Sequence, residues 1–448
     1  MRFLSSVLSA LLATGQLAAS AATAQEPRSS VVEARYRKIA PKFFIISMFS
    51  PEADIWYENL PSSGLGDLLA VNVSAPGLSM LFPHVHCTED LQICQVTTGE
   101  SEINAATTIA SVVLSGKFDL TSTYFMIAGI AGVSPAWSTL GGVALSRYAV
   151  QVALQYEFDA REMPENFTTG YFGFDTYLPN TFPGEWYGTE VFELNDDLRQ
   201  LALGMASKAN LSDTTTAAAY RERYAASSEN FTAGTLPPSV VLCDTATSDV
   251  YYSGNLLAHS FDNTTTLWTN GTGNYCMTAQ EDNATLEVML RMAIEGLVDF
   301  SRIILMRTGS DFDRPPPGVS AYDHLLIMDQ DGFEIAIENI YNAGVEILKG
   351  VLDGWNSTFE KGVAPSNYIG DVFGSLGGEP DFGSGSLTNG TGVLPDGETG
   401  DLEKRELDAP KHASTKRAAE TKRRRVLQGR KAAQGLPLMK VRAPSHST

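Results

Sequence analysis

The 448-residue sequence is poor in cysteine, with four, and in histidine, with six, and its 32 Lys/Arg are outnumbered by 52 Asp/Glu. Long apolar runs are missing too. Past residue 24 no window of about 18 apolar residues free of charge or breakers occurs; Tyr124 to Trp137 comes nearest and is interrupted by Gly129, Gly132 and Pro135. By itself such a chain is not expected to form a helical transmembrane pore. His84 and His86 stand two apart, which on a strand puts both imidazoles on one face. No paired His or Cys motif supplies the remaining ligands of a metal, so they read as core or surface histidines, and neither a metal nor another cofactor is expected.

The charge is unevenly spread. Residues 403–448 carry 13 Lys/Arg against 4 Asp/Glu, an excess of nine positive charges, and the other 402 residues carry 19 against 48, an excess of 29 negative ones. So acidic a body excludes nucleic acid and anionic membrane surfaces as its partners. From Phe373 the composition shifts to Gly, Ser, Asp and Thr, which cannot bury enough apolar surface to fold. Residues 373–448 are therefore expected to be a disordered tail. Its basic run, KRAAETKRRRVLQGRK, reads as a solvated or processed segment.

What is present begins with MRFLSSVLSALLATGQLAASAATAQ: a basic Arg2, a short apolar stretch and small residues at Ala22 and Ala24. That pattern reads as a secretory signal over residues 1–24, hence a secreted or cell-surface chain. Nine Asn-x-Ser/Thr sequons follow, of which Asn283 is the exception in that it falls in a candidate pocket. An even cysteine count in such a chain favours two disulfides, Cys87 with Cys94 and Cys243 with Cys276.

The stretch from Thr278 to Arg314, TAQEDNATLEVMLRMAIEGLVDFSRIILMRTGSDFDR, reads as one helix and one strand. Glu281 and Asp282 sit in the helix's first turn, where the dipole favours anions. Ile303 to Met306 is a continuous apolar run that suits a strand buried on both faces. In an open α/β sheet ligands gather where strands end and helices begin, so Ser310 and Asp311 after the strand and Glu281 at the helix start are expected to face one pocket. Taken singly, each is also explained by a helix dipole or a cap.

RTGSD at the end of an apolar strand, preceded by a Glu-Asp-Asn-Ala helix start, resembles the nucleoside phosphorylase and nucleosidase superfamily, and residues 38–372 as a whole look like the fungal purine nucleoside permease family. The resemblance implies a three-layer α/β/α domain with a mixed central sheet. It also implies that Glu281 holds the ribose 2′- and 3′-hydroxyls and that Asp311, oriented by Ser310, donates a proton or hydrogen bond to N7 of a purine. Gln280 stands where the superfamily usually has Met.

Other segments extend that likeness. KFFIISM followed by SPEAD is similar to the superfamily's opening strand and loop, which makes Glu52 a candidate water-activating residue; the alternative is a carboxylate stabilising a helix start. FDLTSTYFMIAGIAGVS looks like a strand ending in a Gly-x-Ala-Gly turn, where Gly129, Ala131 and Gly132 would let backbone approach a nucleoside. In the loop GYFGFDTYLP, Tyr171 and Phe172 are candidates to stack on the purine, or equally to cap the core. The Thr247-Ser248-Asp249 turn with Tyr251 resembles the segment by which relatives hold the base. TTGESE, at a helix entrance used near phosphate or ribose in related enzymes, carries Glu100 and Glu102 and no basic residue, which opposes phosphate binding.

Two functions follow from these expectations. One is an extracytoplasmic purine nucleoside-binding protein that takes part in uptake without forming the pore, with a membrane transporter or a second copy of the chain as open partners. The other is a secreted enzyme that cleaves the N-glycosidic bond, with water more expected than phosphate as nucleophile.

Overall fold

The computed structural model describes residues 38–382. The expected signal at 1–24 and the basic run of the tail lie outside the described residues. Strand β1 (Phe43–Ser47) is buried along its whole length, as its unbroken apolar sequence requires of a central strand. Helix α1 (Ser50–Asn59) follows at once, with Pro51 in its first turn, where a missing N–H costs nothing. The chain then forms β2 (Val71–Val73), β3 (Val85–Cys87) and β4 (Ile93–Thr97), helix α2 (Glu102–Leu114) and the long strand β5 (Tyr124–Val133). Strands β6 (Val143–Ser146) and β7 (Tyr148–Gln151), a small hairpin of β8 (Tyr156–Glu157) with β9 (Tyr171–Phe172), and β10 (Val191–Glu193) come next.

Helices α3 (Asp196–Ala206) and α4 (Thr215–Arg221) follow β10. Between them the chain leaves helical geometry to pair with Asn339, whose Oδ1 accepts from Ser212 N at 2.7 Å and whose Nδ2 donates to Ser212 O at 3.0 Å. Then follow β11 (Val240–Leu242), β12 (Asp244–Thr247), α5 (Asn255–Trp268), β13 (Tyr275–Ala279), α6 (Asp282–Ile294), β14 (Ile303–Phe312), the short α7 (Ala321–Leu326) and the amphipathic α8 (Phe333–Asp353).

The sheet is twelve-stranded and mixed, in the order β10-β7-β12-β13-β5-β1-β4-β3-β2, with β14 joining β5 and β6, and β6 joining β11. Helices cover both faces, so the architecture is three-layered. Trp56 of α1, Leu198 and Ala202 of α3 and the apolar stripe of α8 form one core; Ile109 and Val112 of α2 with Leu286 and Met289 of α6 form the other. Gly344 of α8 is the point of closest approach: a Cβ there would lie 2.8 Å from the Trp56 ring.

Strand β5 organises the site. Its first half pairs parallel with β1 through Ile127, and its last residues, Gly132 and Val133, pair antiparallel with β13. Its other side pairs with β14 throughout. Between the ends of β1 and β13 the sheet therefore parts, and such a switch in strand order is where an α/β sheet offers a crevice.

Three expectations are corrected. The Gly129–Gly132 segment is not a turn, because β14 zips onto β5 as far as Val133 and keeps it extended. Ser310 and Asp311 lie within β14, not after it, at a register shift between Gly309 and Asp311. Thr278 and Ala279 finish β13, so the helix starts at Asp282 with Glu281 as its N-cap residue. The two disulfides join Cys87 to Cys94 and Cys243 to Cys276. Packing continues beyond residue 372, where Phe382 is fully buried with its ring 5.7 Å from that of Tyr148.

Candidate nucleoside site

The crevice is a cavity of about 420 Å³, within the range that small-molecule sites occupy. Met48 and Phe49 enter from the link between β1 and α1, Glu52 from the first turn of α1, Ile130, Ala131 and Gly132 from β5, Glu281 from the N-cap of α6, and Arg307, Ser310 and Asp311 from β14. Three carboxyl groups far apart in sequence thus meet in one space, as the parting of β1 from β13 dictates.

Glu52 is buried. Its Oε2 accepts from Met48 N and its Oε1 from Ile130 N, each at 2.7 Å. Loss of water around it pushes its pKa from 4.5 up to about 8, against the opposing charge of Arg307. Glu281 is held at both oxygens: Oε1 accepts from Ser101 N at 2.9 Å and Oε2 from Arg307 Nη2 at 3.0 Å. Burial raises its pKa too, with Arg307 working against the rise.

Arg307 ties these groups together. It also donates from Nε to Asp282 Oδ2 at 3.3 Å, from Nη2 to Asp282 Oδ1, and from Nη1 to Ile130 O at 3.1 Å. The fork of the guanidinium suits several carboxylates at once. Gly129 makes room for this crossing, since a Cβ there would sit 2.6 Å from both Arg307 Nη1 and Glu52 Oε1.

At the other end, Ser310 Oγ donates to Asp311 Oδ1 at 2.7 Å and lies 3.1 Å from Ala131 O. The Asp311 carboxyl has its pKa raised by burial, in opposition to the hydroxyls of Ser310 and Tyr251. A rise in that direction favours the protonated form, the one that can donate to a ligand. The backbone of Gly132 lines the cavity beside it, and a Cβ there would meet Thr278 Oγ1 at 2.5 Å.

Not every expected residue is here. Asp249 stands behind the wall, its side chain accepting from Glu102 N at 2.9 Å, while its neighbours Ser248 and Tyr251 line the cavity. Tyr171 packs on Phe261 with ring centres 4.9 Å apart and donates to Glu157 Oε1 at 3.0 Å; Phe172 is buried among Tyr156, Phe158 and Phe167. Neither borders the cavity, because this loop's aromatics satisfy one another on the outside of α5. The rings that do line it include Phe49 and Phe333, 6.3 Å apart and edge to face.

Arg307, His324 and Gln330 also line the cavity, and sequence reading passed over all three. Only the arginine left a signal, as a charge directly after the apolar run Ile303 to Met306. The entrance to α2 is poorly suited to an anion: the N–H groups of Ser101 and Glu102 are taken by the side chains of Glu281 and Asp249, and Glu100 adds a further carboxyl group to the cavity wall.

Comparison with known proteins agrees on one family. The family model for purine nucleoside permease (NUP) matches residues 40–364. A purine nucleoside permease of Candida albicans is 47% identical over 353 residues, 78% of this chain and 84% of that protein. A probable purine nucleoside permease of Schizosaccharomyces pombe is 39% identical over 327 residues, 70% of this chain and 90% of that protein. Among solved structures, a 5′-methylthioadenosine/S-adenosylhomocysteine nucleosidase from Neisseria meningitidis aligns over 69% of this chain and 99% of its own, at 11% identity and a TM-score of 0.42, too distant to bear on the site. By sequence over most of its length, this chain belongs to the purine nucleoside permease family.

Proposed function

We propose that the chain is an extracytoplasmic purine nucleoside-binding protein that serves nucleoside uptake, secreted or held at the cell surface. The observation that carries this reading is the placing of Glu281 and Asp311 in one cavity. Glu281, fixed at both oxygens yet lining the space, has lone pairs left to accept from the 2′- and 3′-hydroxyls of a ribose. Asp311, when it carries a proton, donates to N7 of the purine. No described helix is long and apolar enough to cross a membrane, so the chain would hand its ligand to a separate transporter. In a host that relies on this chain for purine nucleoside import, its deletion should abolish entry of labelled nucleoside and spare entry of free base. Unchanged nucleoside entry would refute the uptake role.

Glu52 favours a second reading, hydrolysis of the N-glycosidic bond. A buried carboxyl with a pKa near 8 has no task in holding a nucleoside, but it suits a general base. In that reaction a water oxygen bonds to C1′ as the C1′–N9 bond breaks. The bonding pair leaves with the purine, which takes the Asp311 proton at N7, and the water's proton passes to ionised Glu52. The internal capping of α2 argues against phosphate as the nucleophile. Purified protein should then release base from inosine without added phosphate, faster as pH rises through 8, and Glu52→Gln should abolish the release. Bound nucleoside left uncleaved over hours would leave the binding role alone standing.

A further inference from the structure

Gln330 lies at the wall of the cavity, 8% exposed, on the connection between α7 and α8. Phe312 N donates to its Oε1 at 2.8 Å. A backbone N–H can only meet the carbonyl end of an amide, so this bond fixes which end is which. The Nε2 group is the end left over, and among the described residues none accepts from it. Phe312 directly follows Asp311, so the amide is anchored on the residue next to the one whose carboxyl is assigned to N7.

On a purine, N7 and the six-substituent share one edge. A 6-oxopurine shows two acceptors there, N7 and O6; a 6-aminopurine shows an acceptor and an NH₂ donor. We infer that Gln330 reads the six-position of the base, so that this cavity prefers the 6-oxopurine nucleosides inosine and guanosine to adenosine; the inference rests on the nucleoside-binding reading above. Turning the amide over does not rescue adenosine. It would aim the Nε2 protons at the Phe312 N–H and leave that buried donor without an acceptor.

The neighbouring imidazole does not compete for this role. His324 Nδ1 lies 2.7 Å from Ser253 Oγ and its Nε2 3.3 Å from the Tyr224 hydroxyl. Tyr224 gives its own proton to Arg314 O at 2.6 Å, so the histidine Nε2 is the donor and Nδ1 accepts from Ser253. Both ring nitrogens are spent, and burial lowers the His324 pKa to about 4, keeping the ring neutral.

Calorimetric titration of the whole protein with inosine, purine riboside (which has no six-substituent) and adenosine tests this. Inosine should bind at least about tenfold more tightly than adenosine, with purine riboside between them. Gln330→Glu, which keeps an acceptor for Phe312 N and replaces the Nε2 donor by an oxygen, should bring inosine down to purine riboside or below it and leave adenosine no weaker. Equal affinities in the wild type overturn the inference, and need no variant to do so. Equal weakening of all three by Gln330→Glu also overturns it. If nucleosides bind without discrimination only this assignment falls; if none binds, the nucleoside-binding reading falls with it.

Discussion

Arg307 Nη2 stands 3.0 Å from Glu281 Oε2, and the same buried guanidinium bridges to Asp282 and neighbours Glu52. The sugar end of the cavity is thus a set of carboxyl groups arranged around one cation. Removing that cation leaves buried negative charges facing one another. Arg307→Met is expected to cost about 3–5 kcal/mol of stability, measured by urea unfolding at pH 7. A loss below about 1 kcal/mol would mean that the carboxyls are already neutral without it.

Glu52 predicts a pH dependence. Its folded pKa, about 8, lies above its ordinary 4.5, so the folded protein holds a proton that the unfolded chain releases between those values. The contribution of this group to stability is full below pH 4.5 and is lost as pH rises toward 8. The wild type should therefore lose ground to Glu52→Gln by up to about 1.4 kcal/mol for each pH unit crossed. Any fixed cost of the amide cancels when urea midpoints at pH 5 and pH 8 are compared. A difference that does not change with pH would show that Glu52 is ionised throughout.

Gly129 is predicted to resist any side chain. A Cβ at 2.6 Å from both Arg307 Nη1 and Glu52 Oε1 forces the pair apart, at the expense of the hydrogen bonds that hold both side chains. Gly129→Ala should destabilise the fold by about 1–3 kcal/mol and weaken nucleoside binding by displacing Glu281 along with Arg307. An alanine variant with unchanged melting temperature and affinity would contradict the crossing described here.

The residues that make elements by their own pattern were legible in the sequence, and those that act only through long-range contacts were not. Phe43 to Ser47 and Ile303 to Met306 announce buried strands because both faces are apolar. Glu281, Asp311 and Glu52 were found through motif resemblance and do share a cavity. Gly129 to Gly132 read as a turn, since glycine marks turns locally; its reason for being glycine is an arginine on the neighbouring strand. Arg307 itself could not be placed, because its partners Glu281 and Asp282 precede it by a whole helix and a loop. Tyr171 and Phe172 misled for the converse reason: a loop rich in rings looks like a ligand cradle, and here the rings cover one another.

The Cys243–Cys276 bridge closes a separation of 33 residues and links the start of β12 to β13, which carries Glu281 at its end. Constraint of the unfolded chain by a loop of that length is worth about 3–4 kcal/mol. The double variant Cys243→Ala, Cys276→Ala should unfold that much more readily in urea. Unreduced protein should take up no alkylating reagent, since no described cysteine is free.

The central claim is that Glu281 and Asp311 hold a purine nucleoside between them, and isothermal titration with inosine tests it most directly. The wild type should bind one equivalent saturably, in the micromolar range. Glu281→Ala and Asp311→Ala should each weaken binding at least about tenfold, and Asp311→Asn, which keeps a donor for N7, should restore most of the Asp311→Ala loss. Absence of binding to the wild type, or alanine variants that bind inosine as tightly as it does, would contradict the account.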